Sequence, residues 1–126
     1  MAKTNKVKTL TLAGKKYKLN VGIPYFHKFF IEATGVDLIK QGLIDAASVK
    51  SFEYTAGFIY AGVKAEHALH KTSCDLKFED VQHEVMGMSE DAAGELFTEC
   101  LALYSGMSVE DFKEHIKKTI AQAVNS

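Results

Sequence analysis

The sequence predicts a mainly α-helical protein that begins with a small β-hairpin and continues as about five helices packed in one compact domain, residues 1–126. Two short segments within residues 7–22 alternate polar and apolar residues around a glycine, which is typical of a hairpin. Over residues 23–126, apolar residues recur every three or four positions, which is the helical period. The 126 residues are 47% hydrophobic, enough to form one core.

The hairpin is predicted from residues 7–22, after a polar segment of residues 1–6 that we expect to be flexible. Lys8, Leu10 and Leu12 share one face of the first strand, and residues 17–21 alternate more cleanly. Gly14, between them, is able to take a positive φ angle. Two strands alone are marginally stable in water. We therefore expect the hairpin to pack on helices or to pair with a strand of another chain.

The first helix is predicted to begin at Pro24, where the missing N–H would be unsatisfied in any case, and to end at Gly35. Asp37 is expected to cap a brief turn that ends at Gly42, followed by a connector through Asp45. This first helix carries an aromatic cluster whose spacing favours a place in the core: Tyr25, Phe26, Phe29 and Phe30.

The central helix is predicted to start at Ser48 or Ser51 and to run to His70. Its apolar residues lie four, three and four positions apart on one face, at Phe52, Ala56, Ile59 and Val63. Gly57 and Gly62 each lower helix propensity by about 1 kcal/mol, and close approach of another backbone explains them most simply.

Three more helices are predicted after a loop at residues 72–74. One runs from Phe78 to Gly87. The next is capped by Ser89, ends at Gly106, and is apolar on much of its circumference, so we expect it to be well buried. The last follows Ser108 and is amphipathic, with an apolar stripe at four-residue spacing: Phe112, Ile116, Ile120 and Val124. This stripe is the candidate partner-binding surface, with packing on its own domain as the alternative.

The charges are divided between the two ends of the chain. Residues 1–31 hold seven lysines and no acidic residue, and residues 32–126 hold eight lysines against sixteen acidic residues, which gives +7 and −8. A basic end suits nucleic acid, but the sequence has no arginine, the residue best suited to phosphate and guanine, and this disfavours nucleic-acid binding. Self-association of basic and acidic parts in a homo-oligomer is the other interpretation.

The sequence predicts no catalytic, cofactor-binding or metal-binding site. His67 and His70 share a helix face, but a structural zinc site needs four ordered ligands, and we interpret both as surface histidines. Cys74 and Cys100 lack an activating neighbour in the sequence and are interpreted as reduced packing residues. The acidic pairs stand at predicted helix starts, where the helix dipole accounts for them.

No segment approaches the ~20 apolar residues that a bilayer span requires, and the polar N-terminus lacks the apolar core of a secretory signal. We therefore expect a cytoplasmic protein that does not contact membranes.

The order of these elements and four short motifs resemble the tail assembly chaperones of long-tailed bacteriophages and prophages. The motifs are GKKYKL at residues 14–19, GVD at 35–37, IYAGV at 59–63 and LKFEDV at 76–81. The resemblance covers roughly residues 7–104. It implies a non-enzymatic cytoplasmic protein of the bacterial host that keeps the tape measure protein soluble while the tail tube polymerises. No individual binding residues are carried over from the family.

Two other functions fit the sequence. One is a different phage tail protein, such as a completion subunit, for which the open hairpin edge would serve assembly. The other is a small regulator that binds DNA through its lysine-rich end. Finding the protein in purified phage particles would favour the tail protein. Binding of the protein to duplex DNA that weakens steeply with added salt would favour the regulator.

Overall fold

The structure is a computed structural model that describes residues 6–12, 14–38 and 51–125; the side chains of residues 51, 52 and 119–125 lie outside this description. Within these residues the chain forms an antiparallel hairpin followed by five helices, which confirms the predicted fold class. The expected turn and connector at residues 39–50 and the expected flexibility of residues 1–5 lie outside the described residues.

The hairpin consists of β1 (Val7–Leu12) and β2 (Lys15–Asn20). Val7 lies opposite Asn20 and Leu12 opposite Lys15, so two residues connect the strands, and Gly14 has a φ of 80°. The pairing begins before the predicted start, because the Val21 N–H donates to the Lys6 carbonyl at 2.9 Å. The expected flexibility of residues 1–6 stays a prediction, and this hydrogen bond places the Lys6 backbone beside the end of β2.

The helices are α1 (Pro24–Thr34), α2 (Ser51–His70), α3 (Phe78–Met86), α4 (Glu90–Ser105) and α5 (Val109–Asn125). Their ends follow the local signals in the sequence. The Ser89 and Ser108 side chains accept hydrogen bonds from the backbone N–H groups of Ala92 and Asp111 at 3.2 and 3.1 Å. Gly35 and Gly106 end α1 and α4 in the left-handed conformation that the absence of a side chain permits.

The core forms around α2, which packs against α1, α3, α4 and the hairpin. The sequence predicted one apolar face for this helix, but a wider arc is buried, since Tyr54, Phe58 and Ala61 are covered as well as Ile59 and Val63. Neighbouring elements cover α2 from several sides at once. The single-face prediction was too narrow, because a strict four-three-four spacing describes a helix that is covered from one side only.

The predicted aromatic cluster of α1 is divided between core and surface. Phe26 and Phe30 are fully buried and contact Phe58, with ring centroids 5.6 and 5.3 Å away. Tyr25, by contrast, is 44% exposed and Phe29 is only partly buried. The expectation that all four rings belong to the core is therefore wrong for Tyr25.

Both glycines of α2 stand at close contacts, and the predicted approach of another backbone is found at Gly62 but not at Gly57. A Cβ atom built on Gly62 would lie 3.0 Å from the Leu19 Cβ and 3.4 Å from its Cα, so strand β2 approaches the helix backbone directly. At Gly57 the neighbours are side-chain atoms of α1, with the Thr34 Cγ2 at 2.6 Å and the Phe30 Cε1 at 2.8 Å. The absence of side chains at these two positions lets α1 and the hairpin pack tightly on α2.

Candidate functional site

The terminal helix α5 is held to the rest of the molecule at its beginning. Glu110 and Asp111 occupy its first turn, where the positive end of the helix dipole favours acidic side chains. Phe112 is 5% exposed and belongs to the hydrophobic core, and the partly buried Val109 packs against the same core one turn earlier. These two apolar side chains anchor the first turn.

Beyond Phe112 the helix leaves the core. All six residues from 113 to 118 are exposed, and six consecutive residues cover more than one complete turn, so every side of this part of α5 faces solvent. Ile116 is 39% exposed and lies one turn after Phe112 on the same face. The helix thus presents an apolar side chain that is partly exposed to solvent.

The four residues of the predicted binding stripe have different positions. Phe112 is in the core and is not accessible to a partner, whereas Ile116 is on the surface. Ile120 and Val124 lie on α5, but their side chains are outside the described residues. Val109 was not predicted to take part in this packing, although its three-residue spacing from Phe112 places both side chains on one face of the first turn. We define the exposed terminal helix as residues 113–118 of α5, the part whose side chains are described.

Some of the basic side chains of the hairpin form ion pairs with acidic side chains of the helices. The Lys8 ammonium lies 3.1 Å from a Glu99 carboxylate oxygen, and the Lys18 ammonium lies 3.5 Å from Glu66 Oε2. Two lysines of the basic hairpin therefore face acidic residues of α2 and α4. Lys15 and Lys16, next to the hairpin turn, remain exposed.

Glu66 is a buried carboxylate at the contact between the hairpin and α2. It is 9% exposed, accepts a hydrogen bond from the Asn20 side-chain amide at 3.3 Å, and lies 3.0 Å from His70 Nε2. Burial by itself raises the pKa of Glu66, but the Asn20 hydrogen bond, the Lys18 ammonium and His70 together hold this pKa below its ordinary value. Because Asn20 and Glu66 are 46 positions apart, single-sequence reasoning had no signal for this pair.

The two histidines considered as metal ligands take part in separate local contacts. His70 is exposed beside Glu66, and His67 is partly buried, with its Nδ1 2.7 Å from the Thr72 hydroxyl. Within the described part of the chain, no group of three or more His, Cys, Asp or Glu side chains is placed to hold a metal ion.

The cysteines differ in their surroundings. Cys100 is buried in the core, and burial raises the pKa of its thiol to about 12, which keeps it in the unreactive neutral form. Cys74 is partly buried and lines a cleft of about 510 Å³ between the hairpin and the start of α3. Ionisable side chains line the same cleft without forming a metal-binding group among the described residues: Lys15, His67, Asp75, Asp80, His83 and Glu84.

A second cavity, of about 400 Å³, lies where α1 begins, between Lys6, His27 and Tyr104. The Lys6 ammonium lies 5.6 Å from the centre of the Tyr104 ring, a cation–π contact that anchors the start of the hairpin. Burial lowers the pKa of His27 and raises the pKa of Tyr104, so both side chains favour their neutral forms.

No helix among the described residues is long and apolar enough to span a bilayer. Comparison of the chain with protein-family models, with curated proteins and with solved structures found no match.

Proposed function

We propose that this protein is a non-enzymatic tail assembly chaperone of a bacteriophage or prophage, and that it binds the tape measure protein in the cytoplasm of the bacterial host. One structural observation supports the proposal most directly: α5 is anchored through Phe112 and then continues as an exposed amphipathic helix. An exposed amphipathic helix is a common means of binding a helical client. The resemblance of the motifs at residues 14–19 and 76–81 supplies the identity of that client.

The client chemistry suits this surface. A tape measure protein is a long, largely helical chain that must remain soluble before the tail tube encloses it. Ile116 supplies apolar contact, and Lys113 and Lys117 lie on the exposed part of the same helix, where they keep the uncovered surface hydrated. Apolar contacts surrounded by charged side chains allow many copies to cover a client reversibly.

The test is co-expression of the full chain with segments of the tape measure protein encoded beside it, scored by the solubility of each segment and by pull-down. We expect at least one segment to become soluble and to co-purify with the wild-type chain. Ile116→Gln is expected to weaken this binding about tenfold, because it removes an apolar contact worth roughly 1–2 kcal/mol. Lys118→Gln, on the other side of α5, is the matched control and is expected to bind like wild type.

Failure of every segment to bind would contradict the chaperone function. Equal loss of binding in the Ile116 and Lys118 variants would instead contradict the assignment of the surface. Finding the protein in purified particles would favour a structural tail protein over a chaperone. Duplex DNA binding that falls with added salt and depends on the hairpin lysines would favour the regulator.

A further inference from the structure

A line of aromatic rings and lysines crosses the surface of α1 and α2 and reaches the start of α3. The Tyr25 and Phe29 rings are stacked with centroids 6.1 Å apart, and Tyr60 contacts Phe78 at 5.5 Å. The Lys64 ammonium joins the two pairs, because it lies 5.3 Å from the Phe29 ring and 5.9 Å from the Tyr60 ring. We call this surface the aromatic–lysine strip: Tyr25, Lys28, Phe29, Tyr60, Lys64 and Phe78.

The two lysines of the strip carry positive charges that no described carboxylate neutralises. The Lys28 ammonium lies 5.3 Å from the centre of the Phe29 ring, so Lys28 and Lys64 share one ring. In the described part of the chain, no carboxylate forms an ion pair with either lysine. Tyr25, at 44% exposure, is among the most accessible large apolar side chains. The surface combines one exposed and three partly buried aromatic rings with two cations, and these features suit a partner that is apolar and acidic.

A surface with the complementary chemistry lies at the junction of α3 and α4 of the same chain. Met86 is 70% exposed, more than any other large hydrophobic side chain among those described. Together with its neighbours it forms a notch of about 180 Å³, lined by Val85, Met86, Met88 and Glu90, which we call the methionine notch. Asp91 follows directly, so the exposed rim next to the notch is acidic.

We propose that the aromatic–lysine strip of one molecule binds the methionine notch of a second copy. Methionine sulfur makes favourable contacts with aromatic rings, and its flexible side chain adapts to the ring that it meets. Glu90 and Asp91 of one copy then face Lys28 and Lys64 of the other, which fixes the orientation of the contact. This association is independent of the proposed chaperone function, because it does not use the exposed terminal helix.

The strip favours a protein partner over single-stranded nucleic acid. Nucleobases bind such proteins by stacking on open ring faces. At Phe29 the ring is already stacked on Tyr25 and is approached by the ammonium groups of Lys28 and Lys64. A second copy is the partner we favour because the chain itself carries the matching sulfur and carboxylate groups.

The first experiment is sedimentation equilibrium of the full chain over a range of protein concentrations at low and high salt. We expect the wild-type average mass to rise with concentration at low salt, and this rise to weaken as salt is added. The double substitution Lys28→Glu/Lys64→Glu is expected to lower the association constant at least about tenfold. Lys15→Glu/Lys16→Glu reverses the same number of charges beside the hairpin turn and is expected to associate like wild type.

The second experiment restores the contact by mixing two variants. Glu90→Lys/Asp91→Lys reverses the charge beside the notch and keeps Met86, and alone it is expected to be as defective as the lysine variant. An equimolar mixture of the two variants is expected to associate, since each reversed surface again meets the opposite charge. Circular dichroism verifies the fold of each variant, and if the lysine variant does not fold, the notch variant compared with wild type decides the question.

Four results would overturn this inference. They are a monomeric wild-type protein at every concentration, a lysine variant that associates like wild type, a hairpin control that is equally defective, and two folded variants whose mixture stays monomeric. Binding of a single-stranded oligonucleotide that is lost in the lysine variant, without self-association of the wild type, would assign the strip to nucleic acid instead.

Discussion

At the scale of single residues, the least expected feature is a buried carboxylate that joins two distant parts of the chain. Asn20 and Lys18 of the hairpin and His70 of α2 all contact Glu66. Each contact favours the ionised form of the carboxyl, so the group stays charged although it is almost completely buried. Its ionisation thereby contributes to the attachment of the hairpin to α2.

Glu66→Gln should destabilise the protein by about 1–3 kcal/mol near pH 7, because it removes a charged acceptor from a buried set of hydrogen bonds. The folded pKa of Glu66 is lowered, so its ionisation stabilises the fold fully above the unfolded pKa of about 4.3 and progressively less as pH falls through the folded pKa. Urea unfolding from pH 7 to pH 3 should therefore show the difference between variant and wild type becoming smaller in acid.

The matched control is Glu114→Gln, because Glu114 is an exposed carboxylate that lies 3.8 Å from the Lys117 ammonium on the same helix. Its effect on the free energy of unfolding should stay within about 0.5 kcal/mol at every pH. A Glu66→Gln difference that is independent of pH would contradict the role assigned to its ionisation.

Gly57 tests whether α1 truly packs against the backbone of α2. Gly57→Ala should lower the free energy of unfolding by about 1–3 kcal/mol, because the added methyl group would overlap Thr34 and Phe30 of α1. Gly94→Ala is the control: Gly94 is helical and exposed, and a built Cβ meets no atom within 4 Å. There the better helix propensity of alanine should stabilise the protein by up to about 1 kcal/mol. Urea unfolding should show that the two substitutions change the free energy of unfolding in opposite directions. A Gly57→Ala variant that is more stable than wild type would contradict the close packing of α1 on α2.

At the scale of elements, the helix ends were predictable because they depend on neighbouring residues alone. Ser89 and Ser108 cap the helices that follow them, and Gly35 and Gly106 take the left-handed conformation. The extent of burial was less predictable, because it depends on what surrounds each helix. The helix predicted to be well buried, α4, has its buried residues between Ala93 and Ala102, and both its ends are more exposed.

Phe112 and Ile116 belong to the same predicted apolar stripe, but one is buried and the other exposed, so mutating them should have different effects. Phe112→Ala should release α5, because it removes the buried anchor of the first turn, with a loss of up to about 3–5 kcal/mol in the free energy that docks the helix. Hydrogen exchange should then show faster exchange in α5 with little change in α2. Ile116→Ala should leave both helices protected as in wild type, and faster exchange throughout α2 in the Phe112 variant would show that the anchor supports the whole core.

At the scale of the whole molecule, charge and apolar surface are distributed over several elements. The basic hairpin is neutralised in part by Glu66 and Glu99, while Lys28 and Lys64 keep charges that no described carboxylate pairs with. The exposed apolar groups are likewise separated, with Ile116 on α5 and Met86 at the end of α3. These separate surfaces leave room for a client and for a second copy on the same molecule, and both proposed associations are measurable with the same purified protein.

The sequence by itself determined the hairpin, the helix ends and the close backbone approach at Gly62, because turn geometry, capping and helix propensity depend on residues near one another in the chain. Only the tertiary structure decided that Phe112 is an anchor while Ile116 is exposed, that Tyr25 and Phe29 form a surface with Lys64, and that Glu66 meets Asn20. These outcomes depend on which elements pack together, and the spacing of apolar residues along one helix does not specify what covers it.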